Sequence, residues 1–100
     1  MTAFTIAIAE MTDYEINVYT TRESYVEEYR NKWQPHMVIN YCDTPADYMR
    51  IAIKYNIDID FYSTDVMCKP DNTKHASRFM LKEETGRAVC ECFLKTRGYV

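Results

Sequence analysis

The feature that most constrains the fold is a change of hydrophobic period at Ile57. Before it, residues 44–56 start with Thr-Pro and an early Asp47, the order of residues typical of a helix N-terminus. From Ile57 onward, apolar residues alternate with Asp58, Asp60 and Tyr62, as in a strand with one buried side. We therefore predict a helix over 44–56 that leads directly into a strand over 57–62.

The N-terminal 42 residues predict two further strands, a helix and another strand. Alternation over 4–8 and again over 14–20 indicates an antiparallel hairpin. Thr20, followed three residues later by Glu23, predicts a capping box and a helix over 20–33 that ends before Pro35. Residues 36–42 alternate as a strand does, and 63–75 form the longest stretch predicted to be irregular.

The C-terminal quarter is compatible with two structures. A hairpin would place Gly86 in the left-handed position of its turn, whereas a helix would be closed by Gly98. We favour the hairpin, because Val89 and Cys90 suit strands. The sequence thus predicts a single α+β domain over 1–100, a small sheet with two helices packed on one face. Its order is β-β-α-β-α-β plus a C-terminal hairpin (or helix).

Composition and charge narrow the class of function. Apolar residues at 47% and charged residues at 27% are values of a globular domain. The net charge is -3 and basic residues form no run, which argues against direct nucleic-acid binding. No membrane partner is expected, because no stretch reaches the length of a membrane-spanning helix and no basic leader precedes the N-terminal apolar residues. We expect a cytoplasmic chain whose four cysteines remain thiols.

The predicted strand over 57–62 also suggests where a partner binds. Its outward side carries Asp58, Asp60 and Tyr62, and nine tyrosines in the chain suit an interface. In the predicted sheet, the same open face carries residues from two other strands. The predicted partner-binding residues are Asn17, Tyr19, Asn40, Asp58, Asp60 and Tyr62, with Glu23 and Glu27 on the first helix as a second acidic contact.

Two kinds of metal site are weaker alternatives. Asp58 and Asp60, with Asp43 or Asp65, would supply the oxygen ligands that Mg²⁺ prefers, but such spacing recurs on most exposed strands. Zinc would use Cys68, His75, Cys90 and Cys92, whose spacing does not match the usual pairs of ligands. No motif of a nucleophile, an oxyanion loop or a phosphate cradle is present in the sequence, so we predict no catalytic residue and no cofactor.

These observations favour a non-enzymatic protein-binding module. Its acidic, Tyr-rich surface suits a partner with a basic surface, such as a nucleoprotein complex. In length, acidity and aromatic content the chain resembles small inhibitors encoded by phages and mobile elements, including anti-CRISPR proteins. That resemblance implies stoichiometric inhibition of a host defence complex by occlusion, in the host cell cytoplasm. The alternatives are a small metal-dependent enzyme, a zinc-stabilised domain and an adaptor that dimerises through the second predicted helix.

Overall fold

A computed structural model of the chain describes residues 3–28, 40–70 and 76–99. The α+β class is confirmed, but the order of elements in the described ranges differs from the prediction. Three helices precede three short strands, and a fourth helix follows a single 3-10 turn (Lys82–Glu84). The elements are α1 (Ala3–Glu10), α2 (Asp13–Glu28), α3 (Pro45–Lys54), β1 (Asp58–Phe61), β2 (Asp65–Lys69), β3 (Met80–Leu81) and α4 (Thr85–Arg97).

Helix α4 forms the centre of the molecule. It packs against α1, α2 and α3 and also against β2 and β3. Its apolar residues from Ala88 to Leu94 are completely buried. The sequence predicted that the helices over 20–33 and 44–56 cover the sheet. This was wrong, because the C-terminal segment is itself the helix that covers it.

The predicted N-terminal hairpin is wrong, and both segments are helical. Among the α2 side chains that the structure describes, the buried ones are Ile16, Thr20 and Ser24, four residues apart and therefore on one face of a helix. Two of these three residues are polar, so the helical period was hidden from an analysis of apolar spacing. Thr20 tolerates burial because its hydroxyl donates to the carbonyl of Ile16, at 2.7 Å.

The capping box belongs to Thr12 and not to Thr20. The Thr12 hydroxyl oxygen accepts from the backbone N–H of Glu15 at 3.2 Å, and the Glu15 carboxylate accepts from the backbone N–H of Thr12 at 2.9 Å. These reciprocal bonds are those of a capping box and fix the start of α2. The predicted helix start at Thr20 therefore lies in the interior of α2.

The helix and strand on either side of Ile57 are confirmed. Pro45 occupies the first turn of α3 and Thr44 precedes it, although the Thr44 side chain makes no capping hydrogen bond. At the other end, Asn56 has a left-handed backbone with φ of 54°, and the N–H of Ile57 donates to the carbonyl of Ala52 at 2.9 Å. This pattern satisfies the last carbonyls of the helix and turns the chain into β1.

The three strands form an antiparallel sheet in the order β1-β2-β3. A two-residue turn at Ser63 and Thr64 joins the first two, and the N–H of Tyr62 donates to the carbonyl of Asp65 at 2.8 Å. The prediction of irregular structure over 63–75 was wrong for 65–69, which are β2. Residues 71–75 lie outside the described ranges.

The C-terminal hairpin is wrong and the helical alternative is right. Gly98 has a φ of 74° and its N–H donates to the carbonyls of Leu94 and Lys95, which closes α4. Gly86 lies inside the helix, where a Cβ would come within 2.1 Å of the Cys42 carbonyl oxygen. Its lack of a side chain therefore permits a close approach between α4 and the turn before α3.

Several predicted elements fall partly or wholly outside the described residues. These are the end of the predicted first helix, its Pro35 terminator and the first residues of the strand over 36–42. Within the described part, Asn40 to Cys42 are not in a strand, and residues 41–43 form a turn. Among the helices of the described ranges, none combines the length and apolar composition needed to cross a bilayer.

Candidate partner-binding face of the sheet

The sheet has a covered face and an open face. Val66, Cys68 and Met80 point toward α4 and are buried. Because side chains alternate along each strand, the intervening residues of all three strands lie on the opposite side. We call this opposite side the outer face; it comprises Asp58, Asp60, Tyr62, Asp65, Met67, Lys69, Phe79 and Leu81.

One part of the outer face is charged. Asp58 pairs across the strands with Lys69, and the Lys69 ammonium lies 3.0 Å from a carboxylate oxygen of Asp60. This hydrogen bond raises the pKa of Lys69 above its ordinary value. The lysine offsets one of the two strand carboxylates, so the charged part of the face retains a net negative charge. The predicted outward direction of Asp58 and Asp60 is thus consistent with the structure.

The other part of the outer face is apolar and aromatic. The rings of Tyr62 and Phe79 meet edge to face with centroids 5.5 Å apart. Phe79 is 62% exposed and Leu81 is 55% exposed, although both flank the buried Met80. Phe79 and Leu81 were not among the predicted partner-binding residues, because their segment was predicted to form a separate C-terminal hairpin. The alternation in "RFMLK" is the signal that would have found them.

A buried ion cluster fixes the strand that carries this aromatic part. Glu91 of α4 is completely buried, and one carboxylate oxygen accepts from the backbone N–H of Arg78 at 3.1 Å. Its other oxygen accepts from the Arg78 guanidinium at 3.1 Å, and the Lys95 ammonium lies 3.2 Å from the first oxygen. Lys95 also donates to the carbonyl of Ala76 at 2.9 Å. The cluster therefore attaches the segment before Phe79 to α4.

Asn17 and Asn40 do not lie on the sheet. The Asn17 side-chain amide donates to the Asn40 side-chain oxygen at 3.1 Å, and the Asn17 oxygen accepts from the backbone N–H of Cys42 at 3.0 Å. Asn40 also donates to the carboxylate of Asp43 at 2.9 Å. These bonds attach the turn over 41–43 to α2. The prediction that Asn17 and Asn40 lie on the same face as Asp58 was wrong, because residues 14–20 are helical.

Tyr19 and Glu23 lie on α2 and contact the C-terminal end of the described chain. The Tyr19 ring packs 5.3 Å from the ring of Tyr99, whose hydroxyl donates to the Glu23 carboxylate. This hydrogen bond is the largest cause that raises the pKa of Tyr99. Both residues thus hold Tyr99 on α2. The side chain of Glu27 lies outside the described part of the structure.

The four cysteines are buried free thiols. Cys90 and Cys92 are two residues apart on α4: the Cys90 thiol contacts Cys42 and Thr20, and Cys68 lies near enough to interact with both Cys90 and Cys92. Burial is the largest cause that raises the pKa of Cys68 and of Cys92 to about 12. The zinc candidates Cys68, Cys90 and Cys92 do not form a group arranged to hold a metal ion in the described part of the chain, and His75 lies outside the described residues.

The carboxylates considered for Mg²⁺ form no such group either. Asp43 lies in the turn before α3 and accepts from Asn40, while Asp60 pairs with Lys69. Within residues 3–28, 40–70 and 76–99, no group of three or more His, Cys, Asp or Glu side chains is arranged to hold a metal ion.

Comparisons with protein-family models, with curated proteins and with solved structures gave no significant match. The roles assigned to residues of this chain therefore rest on its own geometry.

Proposed function

We propose that the chain is a non-enzymatic protein-binding module that uses the outer face of its sheet. The observation that carries this proposal is the group of Tyr62, Phe79 and Leu81 on the outer face, three large exposed side chains of which Tyr62 and Phe79 are in ring contact. A group of exposed large apolar side chains on one face is typical of a surface that another molecule covers. Aromatic side chains at the centre of an interface supply most of its binding energy.

The charges around the patch favour a partner with a basic surface. Asp58 and Asp65 lie on the same outer face, and the whole chain carries a net charge of -3. Carboxylates in an interface accelerate association with a Lys- and Arg-rich surface and disfavour acidic partners. Asp65 pairs across the strands with both Tyr62 and Leu81, so acidic and apolar side chains belong to one interface.

Complexes that handle nucleic acids expose such basic surfaces, because they neutralise phosphates with Lys and Arg. We further propose that the chain is a stoichiometric inhibitor of a complex of this class, such as a CRISPR-type host defence complex. A partner surface covered by the outer face would be closed to its nucleic acid. No catalytic step is involved in this account, since occupancy alone blocks the site.

The test is affinity capture from a lysate of the cells in which the chain acts, with the captured proteins quantified by mass spectrometry. The wild-type chain should enrich a basic protein or complex, and the double variant Phe79→Ser/Leu81→Ser should reduce that enrichment at least tenfold. Excess nucleic acid should release the captured partner, because it competes for the same basic surface.

A matched control is Tyr14→Ser. Tyr14 is 77% exposed on α2, so this substitution removes a comparable aromatic side chain from a different surface. The control should capture the partner as the wild type does. Equal capture by the double variant, with its helical circular dichroism intact, would overturn the assignment to the outer face.

A further inference from the structure

Among residues 3–28, 40–70 and 76–99, no strand pairs with the outer edge of β1, so this edge is open to another strand within the described part of the chain. β1 is an end strand of the sheet. Because Tyr62 and Asp65 form a hydrogen-bonded pair, antiparallel alternation places Ile59 and Phe61 in pairs that exchange no hydrogen bonds with β2. Their N–H and C=O groups therefore point away from the sheet, toward its open edge.

A groove of about 350 Å³ adjoins this edge. Met49, Ala52 and Ile53 of α3 form one apolar wall, Ile57 and Ile59 form the other, and Asn56 and Asp58 complete the lining with polar groups. Ile53 is 73% exposed and extends the apolar surface beyond the groove. A strand added to β1 would direct every second side chain onto this surface.

The other side chains of an added strand would meet acidic residues. Asp58 and Asp60 project from the outer side of β1, and only Asp60 has an ion pair in the described part of the chain, with Lys69. Lys or Arg side chains on the added strand would be attracted to these carboxylates. A second copy of β1 fits less well, since it would place its own Asp58 and Asp60 beside them.

We propose that the edge of β1 and the α3 groove bind an extended segment of a protein partner in which apolar residues alternate with Lys or Arg. The segment adds a fourth strand to the sheet, with its apolar side chains in the groove and its basic side chains beside Asp58 and Asp60. This inference rests on the proposed function, because it specifies which segment of the basic partner is held.

The test uses a synthetic ten-residue peptide of alternating Val and Lys as the probe, observed by NMR of the ¹⁵N-labelled chain. Binding should shift the amide resonances of Ile59 and Phe61 and slow their hydrogen exchange at least tenfold. A peptide of alternating Val and Glu should bind at least tenfold more weakly, because its carboxylates would oppose Asp58 and Asp60.

A matched pair of variants isolates the backbone contact. Phe61→Ala and Phe61→Pro both remove the aromatic ring, but only the proline removes the outward N–H. That N–H makes no bond within the sheet, and proline is tolerated at such positions of an edge strand. Phe61→Ala should bind the probe, and Phe61→Pro should bind about tenfold more weakly, the order expected for a lost backbone hydrogen bond.

Four results would overturn this inference. They are absence of probe binding at millimolar concentration, equal binding of the Val-Glu peptide, equal binding by the two Phe61 variants, and protection of Ile59 by a homodimer without any peptide. The double variant Phe79→Ser/Leu81→Ser separates the two proposals. If the probe fails while partner capture still depends on Phe79 and Leu81, the outer-face proposal stands alone. If the probe binds and partner capture does not depend on Phe79 and Leu81, only the proposal for the edge of β1 is supported.

Discussion

At the scale of single residues, the most constrained group is the Glu91 carboxylate. It lies in the middle of an apolar helix with no exposure to solvent, between the cations of Arg78 and Lys95. The sequence places an acid between Cys90 and Cys92, but it does not show which cations fold against it. The partners come from a loop 13 residues earlier and from the next turn of α4, and only tertiary structure brings the first of them close.

Replacing Glu91 should cost much more stability than replacing an exposed acid. Glu91→Ala leaves Lys95 buried without its counter-charge, so we expect the free energy of unfolding to fall by about 3 kcal/mol. Glu83→Ala, at an exposed position beside α4, should change it by less than about 0.5 kcal/mol. Urea denaturation followed by circular dichroism measures both, and equal losses would contradict the structural role of the cluster.

The buried thiols make stability depend on alkaline pH. The folded state raises the pKa of Cys68 and Cys92 from 9.0 to about 12, chiefly through burial. Above pH 9 the unfolded chain releases these protons while the folded chain retains them. The contribution of these two thiols to the free energy of unfolding is therefore fully present below pH 9 and is lost as the pH rises toward 12.

Each thiol should reduce the free energy of unfolding by about 1.4 kcal/mol per pH unit within that window. Urea denaturation at pH 8, 9 and 10 gives the slope for the wild type and for Cys92→Ala. Tyrosines and lysines contribute to both slopes, so the difference isolates the Cys92 thiol. A variant slope equal to that of the wild type would show that the thiol ionises with an ordinary pKa in the folded chain.

At the scale of elements, local signals predicted some segments and misled for others. The helix over 44–56 and the strand over 57–62 were predictable because Pro45 and the Asp58–Asp60 alternation act locally. Helix α2 was not, since its buried stripe includes Thr20 and Ser24, and its polar residues mimic the alternation of a strand. For the C-terminal segment, burial of α4 by the rest of the chain outweighed the preference of Val89 and Cys90 for strands.

The two threonines that precede helices provide a test of these element boundaries. Thr12 caps α2 through its side chain, whereas Thr44 precedes α3 without a side-chain bond. Thr12→Ala should therefore reduce the free energy of unfolding by about 1 kcal/mol, and Thr44→Ala by only a few tenths. Thermal denaturation compares the two variants, and a larger loss for Thr44→Ala would contradict the assigned start of α2.

At the scale of the whole molecule, the central helix α4 covers one face of a small sheet, and the opposite face is exposed to solvent. The sequence predicted the outward direction of Asp58, Asp60 and Tyr62, since alternation alone determines it. It did not predict that Phe79 and Leu81 join them, because that depends on pairing of β3 with β2. Nor did it predict that Asn17 and Tyr19 belong to a different surface, because their helix was read as a strand.

Site-specific photo-crosslinking tests the central claim most directly. The photoreactive residue p-benzoylphenylalanine is introduced at Phe79 in one chain and at Tyr14 in another, and each is irradiated in the lysate used for capture. We predict one discrete adduct with a basic protein from position 79 and none of that mass from position 14. The same adduct from position 14, with none from position 79, would contradict the outer face as the site of binding.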